Sequence, residues 1–600
     1  RDAAILVCAY QAVRYLPEPR LDMITHHSPD SSRAQTQPVA ICDQSVALSC
    51  DDRELPLLSE WRTKGRDLIA VRRSEFDGLL VAAEELVDQE RYAEAVASIQ
   101  VAANYAVLWH TGQFASSRLE QAIRRVGQAV LLGQVDRKIS PRKASSLSIL
   151  HIGTEFYGIG GHARMVANWI LSDPENVHSV ALTGQHCPIP DDVRQAVAAS
   201  GGRLEQINIW PGGMLGWARR LQRLIATTDL VVLHIHNMDV VPLLALAGLE
   251  DRPRCLLVNH GDHQFWLGPS IVDLVVSTRR SGFQLCIDRR GVEPQRNVLL
   301  PLCLKPRTRM NLRAAAKKLL QIPERSIVVL TIARAVKFRD IGGENFVEAL
   351  APVLIANPDI HLVIVGPGRV DSWAIHIRRA RNRVHVLPET PDTQLYFDAA
   401  DIYLDSFPFV SLTSLLEAGL HGLPLVTRSA FGPDCGVMAA DSLGLDGVLV
   451  QTGSLAELRD TILDLSRNAA GRARLGERTR NQILTTNVGE HWRQRVHELY
   501  RKALRVDPNN GALRPAGAMS DLDVFIPFVF DDMSRESSES GSSRSAWATE
   551  LVLKSAPFRW RMQKLTYLLS RNDLRGSLPR AMIPAWVSAS VRRHFRIMRK

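Results

Sequence analysis

The sequence predicts an α/β protein with two doubly wound domains in series facing a common cleft. A small helical region precedes them and a basic helical tail follows. Three observations predict this. From residue 147, short β-branched runs alternate with helix-length stretches, the pattern of a parallel sheet with helices on both faces. The alternation lapses after about residue 303 and restarts at 326, which makes two domains of similar size. The chain has 600 residues, 46% hydrophobic and 23% charged; that is too long for one ordinary domain and excludes collagen, coiled coil and wholesale disorder.

Residues 1–73 read as an irregular leader, because Pro, Ser, His and Gln crowd positions 16–38 and no period persists. The chain starts at Arg1 rather than Met, so upstream residues are expected to be missing, and residues 3–10 are too short an apolar stretch for a secretion signal. Residues 74–140 are expected to be helical. Ser74 and Asp77 match an N-cap and its third-residue partner, and Leu79, Leu80, Ala83, Leu86 and Val87 then recur at helical spacing. A second helix carries Tyr92, Ala95, Val96, Ile99 and Ala103, and a third runs from about Ser117 to Val130. The stretch 82–103 has a tetratricopeptide-like look, without the repeat an array needs.

The first α/β domain is placed at 147–305, with strands at 147–152, 178–182, 204–209, 229–235, 254–259, 272–277 and 297–300. Residues 303–324 read as a linker plus a helix. The second domain is placed at 325–505, with strands at 326–332, 360–365, 383–387, 401–404, 424–427 and 447–450. Its helices are expected at 343–356, 371–381, 411–421, 454–468 and 488–505. Residues 506–545 read as a linker whose Ser-rich end, 534–545, is of low complexity, and 546–600 as a basic amphipathic tail.

The formal net charge of +10 belongs to that tail, which holds twelve Lys and Arg against two acids. The remaining chain is near neutral, so no basic groove and no nucleic-acid partner is expected. Trp547, Leu551, Phe558, Trp560 and Trp586 interleave with the cations, a composition that suits an anionic membrane surface or a helical appendage packed on the body. The best transmembrane candidate, 226–248, is broken by Asp229, His234, His236, Asn237 and Asp239. Eight scattered cysteines without a Cys-x-x-Cys pair read as reduced thiols, hence a cytoplasmic chain, placed at most peripherally on the inner face of the membrane.

In open parallel sheets, ligands bind beyond the carboxyl ends of the strands, so the loops there are where chemistry is expected. After the first strand, Gly153 to His162 includes Gly158, Gly160 and Gly161 and runs into a helix, where backbone N–H groups can approach an anion. It is neither a P-loop nor a clean dinucleotide fingerprint. Later strands end in His234 and His236, and in Asn259, His260, Gly261, Asp262 and His263. Histidine can act as general base near neutral pH, oriented by a carboxylate. Metal binding is the rival reading for His234, His236, His260 and His263, but no HExxH-type signature and no Asp-x-Asp pair at a strand end supports it, so no metal is expected. In the second domain, Arg334, Lys337 and Arg339 follow the first strand, where cations can hold a diphosphate. Val363 to Gly366 is a strand ending in a glycine turn. The richest stretch is Asp401 to Val426: strand, turn, then a helix starting near Ser411 with Ser411, Thr413 and Ser414 in its first turn. Glu417, one turn on, can accept both hydroxyls of a ribose, and Gly422 with Pro424 ends the helix.

These residues resemble the GT-B glycosyltransferases, in which two Rossmann-like domains face a cleft and a nucleotide-sugar is the donor. The run Glu417, Ala418, Gly419, Leu420, His421, Gly422, Leu423, Pro424 is similar to the second half of the donor motif of group 1 glycosyltransferases. Phe407-Pro408 with Thr413-Ser414 is more like O-GlcNAc transferase and its bacterial protein-glucosyltransferase relatives. The resemblance spans about 147–505. It implies that Arg334, Lys337, Thr413 and Ser414 bind the donor diphosphate and Glu417 the ribose. It implies that Gly160, Gly161 and His162 face donor and acceptor, and that helix 488–505 crosses back to the first domain. The first Glu of the group 1 motif falls at Phe409, which weakens a retaining assignment and leaves an inverting path open. An inverting transfer needs a base; His263 is the first candidate, with His260 and Asp262 next. Ser411 and Gly366 complete the expected donor site. No cofactor is expected beyond the UDP- or GDP-sugar substrate. The acceptor is a surface glycan, a lipid-linked saccharide or, with the helical region holding a polypeptide, a protein. A scaffold that binds donor without turnover is the remaining alternative.

Overall fold

The computed structural model describes residues 51–133, 146–158, 161–338, 345–381, 383–429, 433–509, 511, 513–530, 551, 556–563 and 583–597. Three helices come first: α1 (Asp51–Asp88), α2 (Tyr92–Leu108) and α3 (Ser117–Leu131). The first α/β domain follows with β1 (Ser148–Gly153), α4 (Gly161–Ser172), β2 (Val177–Leu182), α5 (Asp191–Ala199), β3 (Leu204–Gln206), α6 (Gly213–Ile225), β4 (Leu230–His234), α7 (Val241–Ala247), β5 (Arg254–Asn259), β6 (Leu274–Ser277), α8 (Arg280–Arg290) and β7 (Asn297–Leu299). All seven strands are parallel, in the order β3-β2-β1-β4-β5-β6-β7.

The second domain begins after α9 (Arg313–Leu319). It contains β8 (Ile327–Ile332), α10 (Phe346–Ala356), β9 (Ile360–Gly366), α11 (Ala374–Arg379), β10 (Val384–Pro388), α12 (Gln394–Ala399), β11 (Ile402–Leu404), α13 (Leu412–Leu420), β12 (Leu425–Arg428), β13 (Leu449–Thr452), α14 (Leu455–Arg467) and α15 (Ala469–Asn487). Its six strands are parallel in the order β10-β9-β8-β11-β12-β13. In each sheet the strand order reverses beside the domain's first strand, the place where doubly wound domains bind ligands. Strands such as β1 and β4 are buried at every position, as sheets covered on both faces require.

The chain then returns. α16 (Gly489–Arg505) lays Trp492, Val496, Leu499, Tyr500 and Ala503 onto the first domain's core beside Ile149, Trp169 and Leu256. Trp492 Nε1 donates to Pro301 O at 2.8 Å and Trp169 Nε1 to Tyr500 Oη at 2.6 Å. This fold is GT-B.

Three boundaries differ from expectation. The leader placed at 1–73 contains the first 23 residues of α1, which runs unbroken through Ser74. Ser74 is therefore mid-helix, and Asp77 serves Arg73 one turn away rather than a cap. Residues 1–50 lie outside the described residues. The helices form no separate unit, because Phe76, Leu86, Ile99, Ile123 and Val126 share one core with Leu233, Leu244 and Phe265 of the first domain. The linker placed at 506–545 is built structure as far as 530. Asn509 donates to Val272 O at 2.8 Å, and Gly517 N to Asp288 O at 2.7 Å. It ends in α17 (Asp521–Phe530), which packs on α1 through Trp61 stacked on Phe528. The low-complexity stretch 534–545 lies outside the described residues. In the tail, α18 (Phe558–Gln563) and α19 (Ala585–Ile597) lie against the first domain, where Ser590 Oγ donates to Ile209 O at 2.8 Å.

Candidate functional site

The cleft between the two sheets' carboxyl ends gathers the expected residues from both domains. Gly161, His162, His260, Asp262 and His263 form one wall, and Arg334, Lys337, Gly366, Ser411, Thr413, Ser414 and Glu417 the other. Gly160 and Arg339 lie outside the described residues.

On the second-domain wall, β8 ends in a turn that presents Arg334, exposed, and Lys337, half-buried. Lys337 Nζ donates to Val410 O at 2.8 Å. Burial pushes its ammonium down to about 8, Arg334 and Arg279 add to this, and Asp405 opposes it. The turn after β9 passes so close to β8 that a side chain at Gly366 would meet Ala333 O, and φ there is 126°. Only glycine fits. Below, Asp405 ends β11 fully buried. Its Oδ1 accepts from Ser406 N at 2.9 Å and Ser411 N at 2.8 Å, which shapes the loop that delivers the α13 N-terminus to the cleft. Burial raises this carboxyl to about 7, against those two backbone donors and Lys337. Ser411 Oγ donates to Ser414 Oγ at 3.3 Å rather than capping the helix, so the first N–H groups of α13 point into the cleft. That terminus with Lys337 and Arg334 has the chemistry to hold an anion.

The two walls touch. A side chain at Gly161 would strike Thr413 Oγ1. Arg164 of α4 donates to Glu417 at 3.2 Å across the cleft. Sequence reading missed Arg164, because one arginine on an amphipathic helix carries no local mark of its partner 253 residues away.

The histidine-rich loop after β5 sorts differently from expectation. Asp262 is buried and ion-paired with Arg279 at 2.6 Å, and Arg279 also donates to Ala439 O of the second domain at 2.9 Å. One carboxylate oxygen, Oδ2, is thereby engaged at the domain junction, while Oδ1 has no hydrogen-bond partner among the described residues. His263 is half-buried beside Arg279, Arg290 and Lys337; burial first and these cations next push its imidazole down to about 3. A ring so placed holds an added proton poorly, and it is less open to the cleft than His260. His260 opens onto the cleft. The protein around it still brings its imidazole to about 4, with His236 adding to the effect, but no cation contributes.

Behind His260 the rings continue inward. His234 Nδ1 lies 3.2 Å from His260 Nε2, and His234 Nε2 lies 3.1 Å from His151 Nδ1. His162, His234 and His260 bring one nitrogen each within 4.8 Å of one another, a grouping of the size that can hold a metal ion. However, both nitrogens of His234 face other rings at hydrogen-bond distance, so this geometry serves a chain of imidazoles.

Residues 326–468 match the family model described as glycosyl transferases group 1. That segment is similar to the group 1 glycosyl transferases. No curated protein matches the chain. Among solved structures, the Anabaena protein HepE in complex with UDP-glucose is 17% identical over 59% of this chain and 99% of its own, with a TM-score of 0.46. The Thermobaculum terrenum O-GlcNAc transferase is 16% identical over 76% of this chain and 91% of its own, with a TM-score of 0.44. A glycosyltransferase from Rickettsia africae is 12% identical over 60% and 99%, with a TM-score of 0.46. The glycosyltransferase segment supplies every residue of the second-domain wall named above, from Arg334 to Glu417.

Proposed function

We propose that the protein is a hexosyl-type glycosyltransferase that moves a sugar from a UDP- or GDP-sugar to an acceptor hydroxyl, in the synthesis of a surface glycan or lipid-linked saccharide. The observation that carries this reading is the meeting of an anion site on one wall with histidines on the other. Arg334, Lys337 and the α13 start with Ser411, Thr413 and Ser414 hold the diphosphate, and Glu417 takes the ribose. The acceptor oxygen attacks the anomeric carbon as its bond to the diphosphate oxygen breaks and the electron pair leaves with the phosphate. His260 takes the acceptor proton. The charge gained by the leaving diphosphate falls on the cations and helix N–H groups, which asks for no metal at the phosphates. Phe409, where a retaining relative would carry Glu, fits this single displacement with inversion.

A donor panel tests the reading. Purified protein with UDP-, GDP-, dTDP- and ADP-sugars is followed by thermal shift and release of nucleoside diphosphate. One donor is expected to stabilise the protein, and Lys337→Ala and Glu417→Ala to abolish the shift. His260→Ala is expected to keep the shift while release falls by about 10²-fold or more. No shift with any donor would overturn the proposal in favour of a scaffold.

A protein acceptor is the second reading. The observation that favours it is that α1 and α17 reach the cleft rim, with Trp61 and Phe525 in one apolar cluster with Val437 and against Phe409. Placement at the inner face of the membrane is proposed for the tail. Phe558, Met562 and Val591 are exposed there beside Arg592 and Arg593, and no described helix is long and apolar enough to cross a membrane.

A further inference from the structure

Four strand or strand-end histidines of the first domain stand in one line. His178 of β2, His151 of β1, His234 of β4 and His260 after β5 are spaced 2.9, 3.1 and 3.2 Å apart, nitrogen to nitrogen. The first three are fully buried within strands that otherwise read as apolar. A polar ring in that position needs a partner for both nitrogens, and each finds it in the next ring.

The inner end of the line settles its direction. His178 Nε2 faces Asp173 Oδ2 at 3.1 Å and Asp173 O at 3.2 Å. Both are acceptors, so Nε2 carries the proton. In a neutral ring, His178 Nδ1 must then accept, and it accepts from His151 Nε2–H. His151 Nδ1 accepts in turn from His234 Nε2–H, and His234 Nδ1 from His260 Nε2–H. The remaining nitrogen, His260 Nδ1, is left as an unprotonated acceptor. We propose that Asp173, acting through His178, His151 and His234, is a positioning residue that fixes His260 as the tautomer able to accept the acceptor hydroxyl's proton at Nδ1.

The Asp173 carboxylate is built to stay ionised. Its Oδ2 faces His178, its Oδ1 accepts from His497 Nε2 of α16 at 2.8 Å, and both oxygens accept from Asn176 Nδ2 at 3.0 Å. The added proton has a balanced route. When His260 Nδ1 gains it, the Nε2 proton can pass to His234 Nδ1, and so on inward, leaving the positive ring at His178 against the carboxylate. His260, His234 and His151 then read as the opposite tautomer, and His178 carries both protons. The other titratable groups facing the line are His162 of α4, whose ring centre is 4.1 Å from that of His260, His236 after β4, and His497 and Tyr500 of α16. The tautomer assignment stands on hydrogen-bond geometry alone; its use in catalysis rests on the reading of the cleft as a glycosyl-transfer site.

The direct test is the nitrogen-15 spectrum of histidine-labelled protein, where two-bond couplings report which ring nitrogen bears the proton. At neutral pH all four rings are expected to show Nε2–H and a bare Nδ1. His260 with Nδ1–H would overturn the proposal. So would a stoichiometric divalent ion in elemental analysis, since it would claim the same lone pairs. Asp173→Asn, which can turn an N–H toward His178, is expected to reverse or mix the tautomer at His260. It should lower turnover about 10–10²-fold with donor affinity within about twofold, and should shift the pH profile. Unchanged turnover and profile with an altered tautomer would deny the line a catalytic role. Should this variant not fold, His151→Gln breaks the line at its second ring and carries the same expectations. No turnover by wild type with any donor would count against the transfer reading, while the spectrum would still judge the tautomer.

Discussion

Lys337 and Asp405 each make the donor wall sensitive to pH, and what each contributes falls as pH rises. Lys337 titrates at about 8 in the free protein, and a diphosphate binds its protonated form. Donor affinity is therefore expected to be flat below pH 8 and to weaken as pH rises through it, by up to about tenfold per unit. Calorimetric titration from pH 7 to 9.5 checks this. Lys337→Arg should flatten the curve, because guanidinium keeps its charge throughout. A flat wild-type curve would remove Lys337 from the diphosphate. The Asp405 carboxyl is raised to about 7 from the usual carboxylate range, so the stability it contributes is present while the unfolded chain is also protonated and is lost as pH rises through 7. Asp405→Asn keeps a carbonyl for Ser406 N and Ser411 N without the buried charge. Its melting temperature should match wild type near pH 4 and equal or exceed it at pH 8, a comparison that two thermal scans supply.

At the scale of elements, the strands were legible and the joins were not. All thirteen strands sit where β-branched runs placed them, because buried parallel strands are continuous apolar runs that periodicity detects well. The start of α13 at the cleft was legible too, since strand, turn, hydroxyls and Glu417 fall within one short segment. What escaped were features decided by distant partners. α17 carries Pro527 and follows a Pro- and Gly-containing stretch, so it read as linker; it is held by the core it meets at Trp61, Phe114 and Val437. The same element offers a stability test. Asp523 is buried between Arg289 and His110, and the two partners hold its carboxyl down at about 2. Asp523→Ala, which orphans buried Arg289, should cost about 3–5 kcal/mol. Asp521→Ala, losing a solvent-exposed pair with Arg62, should cost far less. Denaturant melts of both variants would show it, and equal losses would mean α17 is not held through Asp523. The imidazole line escaped because four single histidines in four strands have no common period; only the strand order β2-β1-β4-β5 sets them side by side.

For the whole molecule, the charge reading and the structure meet in the tail. Its described helices pack on the first domain near Ile209 and leave Phe558, Val591, Arg592 and Arg593 outward. Deleting residues 546–600 is expected to reduce binding to anionic vesicles several-fold while leaving the donor-induced thermal shift in place, measured by flotation and by melting side by side. Unchanged flotation would leave the tail as a packed appendage. The two domains meet through Arg164–Glu417 and Arg279–Ala439. Arg164→Ala should therefore alter donor affinity although Arg164 sits on the opposite domain from the phosphate site.

The return of α16 to the first domain also has a temporal side. A ribosome finishes the strand ending at Leu299 about two hundred residues before Tyr500 emerges. At about 5–20 residues per second, the sheet face around Ile149, Trp169 and Leu256 waits roughly 10–40 s for its cover. During that interval the nascent chain presents a sticky half-domain, and the second domain must be threaded out before the first can close. A chaperone that shields this face, or a pause in translation after residue 505, would act on the yield of this protein rather than on its finished stability.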